Sequence, residues 1–217
     1  MRWVAIFDLD GTLTWHDSLM PFLRGYLGRH PGRLLRLWRL PIALLVYAAT
    51  GRDRGLLKSR IIRMVMGGDT RAAIDTWADA FVAAMPARGA FRPGALAALQ
   101  EHARAGDLLV LLSASPDLYV PRVGRLLHFD HVVCTEVAWR GDRLDGRLKT
   151  ENRRGEEKSR CIERLRAEHP DMPVVAYGNS ASDIAHMSLV DRALLVNGTT
   201  AARRQATAAG IPTANWT

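Results

Sequence analysis

Five short runs of apolar residues, rich in valine and leucine, punctuate the chain at residues 3–7, 108–112, 131–134, 174–177 and 193–196. Each has the length of a buried strand, and helical periodicity fills much of the space between them. That alternation predicts an α/β protein wound around a parallel sheet. The first, second and fourth runs each lead into a small or acidic polar residue: Asp8, Ser113 and Gly178. Ligands of open α/β sheets bind at the carboxyl ends of strands, so these three positions are where chemistry is expected.

The interval between the first two runs is far longer than one crossover helix requires. Residues 15–89 hold no convincing strand, and apolar positions within 72–85 recur at helical spacing. The pattern predicts a helical cap at 15–89, inserted after the first strand into a core made of 1–14 and 90–217. Arg92-Pro93-Gly94 marks the return to the core, followed by a helix over 95–105 that stops at Gly106. Residues 136–149 alternate around Arg140-Gly141-Asp142, which predicts a β-hairpin projecting from the sheet edge.

A chain of 217 residues can bury one substantial core, or a core with a smaller inserted module. The net charge of +8 is unevenly placed: residues 15–60 carry nine basic side chains against Asp17 and Asp53. Such a block points to anionic partners, namely phosphorylated substrates, acidic lipid headgroups or nucleic acid, or else it is a solvated helical face. No basic platform interleaved with aromatics and no helix-turn-helix pattern is present, so nucleic acid is the least expected partner. The two cysteines, Cys134 and Cys161, lack metal-site or framework spacing, which suits a reducing cytoplasm. The first residues lack the basic-apolar-small order of a secretory signal. The longest uncharged apolar stretch, 40–50, contains Pro41 and falls well short of the roughly 20 residues that span a bilayer.

The most informative segment is Phe7-Asp8-Leu9-Asp10-Gly11-Thr12-Leu13-Thr14, directly after an apolar strand. Gly11 permits a turn that gathers both carboxylates around one metal and one phosphate. One carboxylate can bind metal and attack phosphorus, while the other donates a proton to the leaving oxygen and later takes one from water. A plain turn or helix cap is the alternative for a lone pair of acids.

With these residues in hand, the chain resembles the haloacid dehalogenase superfamily, whose DxDGT motif is matched by residues 8–12. The resemblance implies a Rossmann-like core with a cap, and a magnesium-dependent phosphatase that forms a phospho-aspartyl intermediate on Asp8, with Asp10 as general acid and base. The second motif, a Ser or Thr ending an apolar strand, is matched at Ser113, implying a hydrogen bond to the transferring phosphoryl group. The third, a lysine opening a later helix, is matched at Lys158, followed by Cys161, Ile162 and Leu165 as a buried face; Arg154 is the competing position. The fourth, normally an acidic pair, reads Gly178-Asn179-Ser180-Ala181-Ser182-Asp183. Asn179 stands where the family usually has a metal-binding Asp, and Asp183 is retained. The metal set implied is therefore Asp8, Asp10, Asn179 and Asp183 around Mg²⁺.

A helical insert after the first motif resembles the phosphoserine phosphatase-like branch, subfamily IB. There Asp17 takes the place of an acidic cap residue that contacts substrate, and Ser115 and Arg154 are further substrate candidates. The wider pattern, with Ser113-Ala114-Ser115-Pro116 and Asn152-Arg153-Arg154-Gly155, is closer to phosphatidylglycerophosphatase C-type members, which implies a lipid phosphate monoester as substrate. Within 29–47, Arg29, Arg33, Arg36 and Arg39 fall on one side of an α-helical wheel and Leu34, Leu35 and Trp38 on the other. Such a segment can lie in a membrane interface with its arginines at phosphate depth, placing a cytoplasmic protein at the inner face of the membrane. The alternative is a cap helix that packs on its neighbours and exposes its arginines. Two other functions remain open on the sequence: a phosphatase for a small metabolite such as phosphoserine, and a noncatalytic binder of anionic ligands. His16, His30 and His131 lack metal-ligand spacing and are expected to be structural or superficial.

Overall fold

The computed structural model describes residues 2–51 and 53–217. Arg52, one of the nine basic residues of the insert, lies outside the described residues. The first strand, β1 (Val4–Phe7), is completely buried and alternates: Val4 and Ile6 pack on one side of the sheet, Ala5 and Phe7 on the other. It pairs in parallel with β2 (Leu108–Pro116) on one side and β6 (Val174–Gly178) on the other. Beyond β2 lies β3 (His131–Thr135), and beyond β6 lie β7 (Arg192–Val196) and β8 (Thr213–Ala214). The full order is β3-β2-β1-β6-β7-β8, every pair parallel. Because the chain builds outward from β1 through β2 and β3 before crossing to β6, the strand order reverses beside β1. Ligands of such sheets bind at that reversal. β2 continues past residue 112 to Pro116, so Ser113 lies inside the strand and does not end it. β8, too short for a pattern, was not foreseen.

Among the described residues four α-helices occupy the insertion: α1 (Leu19–Arg29), α2 (Leu40–Ala49), α3 (Arg54–Met66) and α4 (Arg71–Ala83). Asp53 accepts a hydrogen bond from Leu56 N at the start of α3, and Thr70 from Ala73 N at the start of α4, satisfying main-chain donors that a helix start leaves open. Phe22, Tyr26, Ile62, Met66, Trp77 and Phe81 form the insertion's interior, continuous with Phe7 of the sheet and Tyr119 just beyond β2. The return runs through α5 (Pro93–Ala105), which opens on a proline and closes at Gly106, φ 73°. Next comes α6 (Val120–Leu126). The opposite sheet face is covered by α7 (Glu156–Glu168) and α9 (Thr200–Ala208), with Cys161, Ile162 and Leu165 buried as their spacing predicted; between them lies the one-turn α8 (Ile184–Met187).

The hairpin forms directly after the edge strand β3, as β4 (Val137–Arg140) and β5 (Arg143–Leu148), a two-stranded ribbon of its own. It lies against α3: Ser59 Oγ accepts from Leu148 N, and Gly146 sits so close to the Arg63 main chain that a side chain there would collide. The segment 29–47 is not one α-helix. α1 ends at His30, and Pro31–Arg39 winds as a 3₁₀ helix before α2 begins. Three residues per turn place Arg33, Arg36 and Arg39 in one row. Arg33 turns inward, pairing with Asp69 and donating to the carbonyls of Val65 and Gly67, and Arg36 donates to Gly67 O. The apolar residues face out instead: Leu35 is 81% exposed, Trp38 65% and Leu45 70%, with Leu34, Ile42 and Leu44 near half. Among the described residues no helix is long and apolar enough to cross a membrane.

Candidate active site

Asp8 leaves β1 at its carboxyl end, and the chain then turns sharply through Gly11, φ 82°. A side chain at Gly11 would strike the Asn179 amide, so glycine is required both for the turn and for the approach of the loop after β6. Lys158, in the first turn of α7 and 2% exposed, donates from Nζ to Asp8 Oδ1 at 2.7 Å and to Asp183 Oδ1 at 2.8 Å. Asp183 Oδ2 accepts from Ser180 N (2.9 Å), Ser180 Oγ (2.7 Å) and Asn179 N (3.3 Å). Both oxygens of Asp183 are thus engaged by the protein, and its position fixes Lys158 and the loop carrying Asn179. Among the described residues Asp8 Oδ2 has only a long contact from Thr12 Oγ1, 3.4 Å.

Asp10 sits in a different network. Its Oδ1 accepts from Ser18 N (2.7 Å) and Ser18 Oγ (2.6 Å), and its Oδ2 from Ser115 Oγ (2.5 Å). The Ser18 and Tyr119 hydroxyls are 2.8 Å apart. Ser113 Oγ accepts from Ser115 N at 3.0 Å and is fully buried. Ser115, expected on substrate, is bonded to Asp10. Asp17 accepts from Met20 N at 3.0 Å, and Arg154 is exposed with no side-chain hydrogen bond among the described residues. Lys158, not Arg154, meets Asp8.

Burial, with the charges of Asp183 and Asp10 beside it, raises the Asp8 carboxyl to about 7 against the pull of Lys158. Burial and Asp17 also raise Asp10, opposed by its serine partners. Asp183 is held well below the usual carboxylate range: burial opposes this, but Lys158, His186 and Ser180 prevail. The Lys158 ammonium is raised by Asp8 and Asp183 in spite of burial. Asp8 and Asp183 share one ammonium with Asp10 close by, so ionising all three acids leaves negative charge that a divalent cation would offset.

No group of three His, Cys, Asp or Glu side chains is spaced to hold a metal among the described residues. The reason is local: Lys158 Nζ stands between Asp8 and Asp183, and an amide replaces one acid. The donors that could serve a cation are the Asp8 carboxylate, the Asp10 main-chain carbonyl and the Asn179 amide oxygen, all hard oxygen ligands of the kind magnesium takes.

Sequence reasoning passed over several residues of this site. Lys58, from α3 of the insertion, donates to Ala114 O and Asn152 Oδ1, both at 2.6 Å, between the two serines of β2. Burial lowers its ammonium to about 8, partly offset by Asp10 and Asp17. A signal was available: lysine occurs only at 58, 149 and 158 in a chain that otherwise uses arginine, and two of the three stand at the site. Ser18, Tyr119 and His186 lack any comparable mark.

A reversed parallel sheet, carboxylates and a lysine gathered where its order turns, and a helical insertion beside them define a class of α/β hydrolases. The chain belongs to the haloacid dehalogenase-like hydrolase family, whose pattern matches residues 5–188. It is 36% identical over 191 residues to the protein CicA of Caulobacter vibrioides (strain NA1000 / CB15N), covering 87% of this chain and 83% of that one. Its fold is similar to that of a protein of unknown function from Bordetella pertussis Tohama I, with TM-score 0.81, 22% identity and 98% of each chain covered. It is also similar to a substrate-bound phosphoserine phosphatase, with TM-score 0.65, 13% identity, and 94% of this chain and 90% of that one covered. At such identities these two likenesses concern the fold.

Proposed function

We propose that the protein is a phosphomonoesterase in which Asp8 is the nucleophile and Asp10 the general acid and base. The observation that carries this reading is the buried bridge from Lys158 to Asp8 and Asp183, at the carboxyl end of the central strand and two residues from a second carboxylate. Asp8 attacks phosphorus, the bond to the leaving alcohol breaks, and the phosphoryl group rests on the Asp8 carboxylate. Asp10, raised by burial, protonates the departing oxygen, then takes a proton from the water that hydrolyses the aspartyl phosphate. Ser18 and Ser115 hold Asp10 until substrate displaces one of those bonds. Ser113 and Lys158 steady the phosphoryl oxygens. Mg²⁺, when bound by Asp8, the Asp10 carbonyl and Asn179, supplies positive charge against the phosphate; Asp183 serves by holding Lys158. The core comprises 1–14 and 90–217 and the cap 15–89, whose closure keeps out bulk water.

For the substrate we favour a lipid phosphate such as phosphatidylglycerophosphate, in the manner of phosphatidylglycerophosphatase C-type members of the phosphoserine phosphatase-like branch. Support comes from the outward apolar face of 34–45 and from the absence of any acid between Ser18 and Gly51. In this arrangement the leucines and Trp38 enter the cytoplasmic leaflet while the flanking arginines stay at headgroup level. A small metabolite such as phosphoserine is the second reading, favoured by Asp17 close to Asp10. Phosphate release should be measured for wild type and Asp8→Asn, with and without Mg²⁺, from p-nitrophenyl phosphate, phosphoserine and phosphatidylglycerophosphate in mixed micelles. Magnesium-dependent release lost in the variant is expected, fastest on the lipid. Release that persists in Asp8→Asn would remove the mechanism, and preference for phosphoserine would remove the lipid.

A further inference from the structure

A groove of about 1260 Å³ opens between the 3₁₀ segment with α2, helix α3, and the ribbon strand β5. It exceeds the ~300–1,000 Å³ of ordinary small-molecule pockets. None of the carboxylates around Asp8 lines it. Its nearest link to that site is Asn152, which lies in its wall and accepts the hydrogen bond from Lys58.

The groove has two kinds of lining. Seven arginines and three acids supply its charge, so positive charge is in excess. Asp53 caps α3 and Glu151 accepts from Arg160 outside the groove. Asp145 Oδ2 accepts from Arg140, while its Oδ1 has no hydrogen-bond partner among the described residues and pairs at 3.8–3.9 Å with Arg63 and Arg147. Arg36 and Arg143 donate to the main-chain oxygens of Gly67 and Gly68, which orients their guanidinium groups without neutralising them. The Nε of Arg60 is buried and has no hydrogen-bond partner among the described residues. A buried donor left open in this way is a place where a ligand oxygen belongs. The remaining lining is apolar: Trp38, Ile42, Leu56, Met64, Leu144 and Leu148. Trp38 and Ile42 belong also to the exposed apolar face, so the groove meets that face at its mouth.

An occupant matched to both linings carries a negative charge and a hydrocarbon portion in one molecule. Inorganic phosphate lacks the second. Single-stranded nucleic acid needs successive aromatic platforms, and Trp38 is the one aromatic side chain in the lining. We propose that this groove binds one anionic phospholipid, its headgroup among the arginines and its first acyl methylenes against the apolar wall, at a site separate from the Asp8 pocket. The site would hold the enzyme on an anionic leaflet through a lipid that it does not hydrolyse, and it stands independently of the chemistry assigned to Asp8.

The test uses dihexanoyl-phosphatidylglycerol below its micelle concentration. This is a phosphodiester, so a phosphomonoesterase does not consume it. Tryptophan fluorescence of the full chain is followed during titration, with Trp38→Phe identifying the part of the signal that comes from Trp38. The expected result is a saturable, Trp38-dependent change, at least about tenfold tighter than with dihexanoyl-phosphatidylcholine or with glycerophosphoglycerol, the same head without chains. Arg60→Gln/Arg63→Gln should weaken it by about tenfold, and Asp8→Asn should leave it unchanged, which separates this site from the catalytic reading. Should the double variant fail to fold, the probe series on wild type decides alone. Equal binding of the zwitterionic lipid, equal binding of the chainless head, absence of saturation, or tighter binding of a single-stranded oligonucleotide would each overturn the proposal.

Discussion

The apex of the core and the segment 31–49 of the cap are built on opposite terms. At the apex Asp8, Lys158 and Asp183 are each under 10% exposed, and charge is balanced against charge within hydrogen-bond distance. In the cap segment, six large apolar side chains stand between 48% and 81% exposed, while Arg33 turns in to Asp69 and Gly67. The apex is complete in itself apart from a cation and a phosphate. The segment leaves apolar surface in water, which a folded chain retains where another surface is to cover it.

The sharpest way to break this contrast is to remove the charge balance at the apex. Lys158→Met leaves two carboxylates facing each other in a buried site. It should cost about 3–5 kcal/mol of stability in denaturant unfolding, together with all measurable turnover. Asp10→Asn should fold normally and lower kcat by about 10²–10⁴-fold on alkyl phosphates, with a smaller loss on p-nitrophenyl phosphate, whose leaving group needs no proton. Lys58→Met removes two hydrogen bonds between insertion and core; about 1–3 kcal/mol of stability and a raised KM are expected.

A pH measurement sharpens the same contrast. Burial and Lys158 lower the His186 imidazole from its ordinary 6.5 to about 3. In the unfolded chain it takes its proton first, so its contribution to stability is whole above about 6.5 and is lost as the pH falls toward 3. Thermal unfolding of His186→Gln across that interval should show a shallower acid decline than wild type. The smallest effect is expected in the cap: Leu35→Ser and Leu45→Ser should change stability by no more than about 0.5 kcal/mol. Flotation with anionic vesicles should nevertheless fall. Equal flotation would mean that this face meets something other than a bilayer.

The core was legible because its signals are local. Strand-length apolar runs ending in Asp8, Ser113 and Gly178 placed the sheet, and residue spacing within one helix was enough to choose Lys158 over Arg154. The insertion was legible as helices but not in detail. His30 and Pro31 interrupt a pattern that reads as one amphipathic helix, and the 3₁₀ winding that follows changes which residues share a side. An α-helical wheel therefore missed the inward turn of Arg33. Lys58 meets Ala114, and Tyr119 meets Ser18 beside Asp10, from distant parts of the chain, a relation that only the fold creates. Asp183, implied as a metal ligand by its motif, accepts from Lys158 and Ser180, bonds that the motif alone does not announce.

The central claim is that phosphate passes through the Asp8 carboxylate. The most direct measurement is peptide mass analysis of enzyme acid-quenched during turnover of p-nitrophenyl phosphate with Mg²⁺. A phosphoryl group on the peptide carrying Asp8, absent in Asp8→Asn, is the result this account predicts. Turnover with a phosphoryl group on Ser113 or Ser115, or with none on the protein at all, would contradict it.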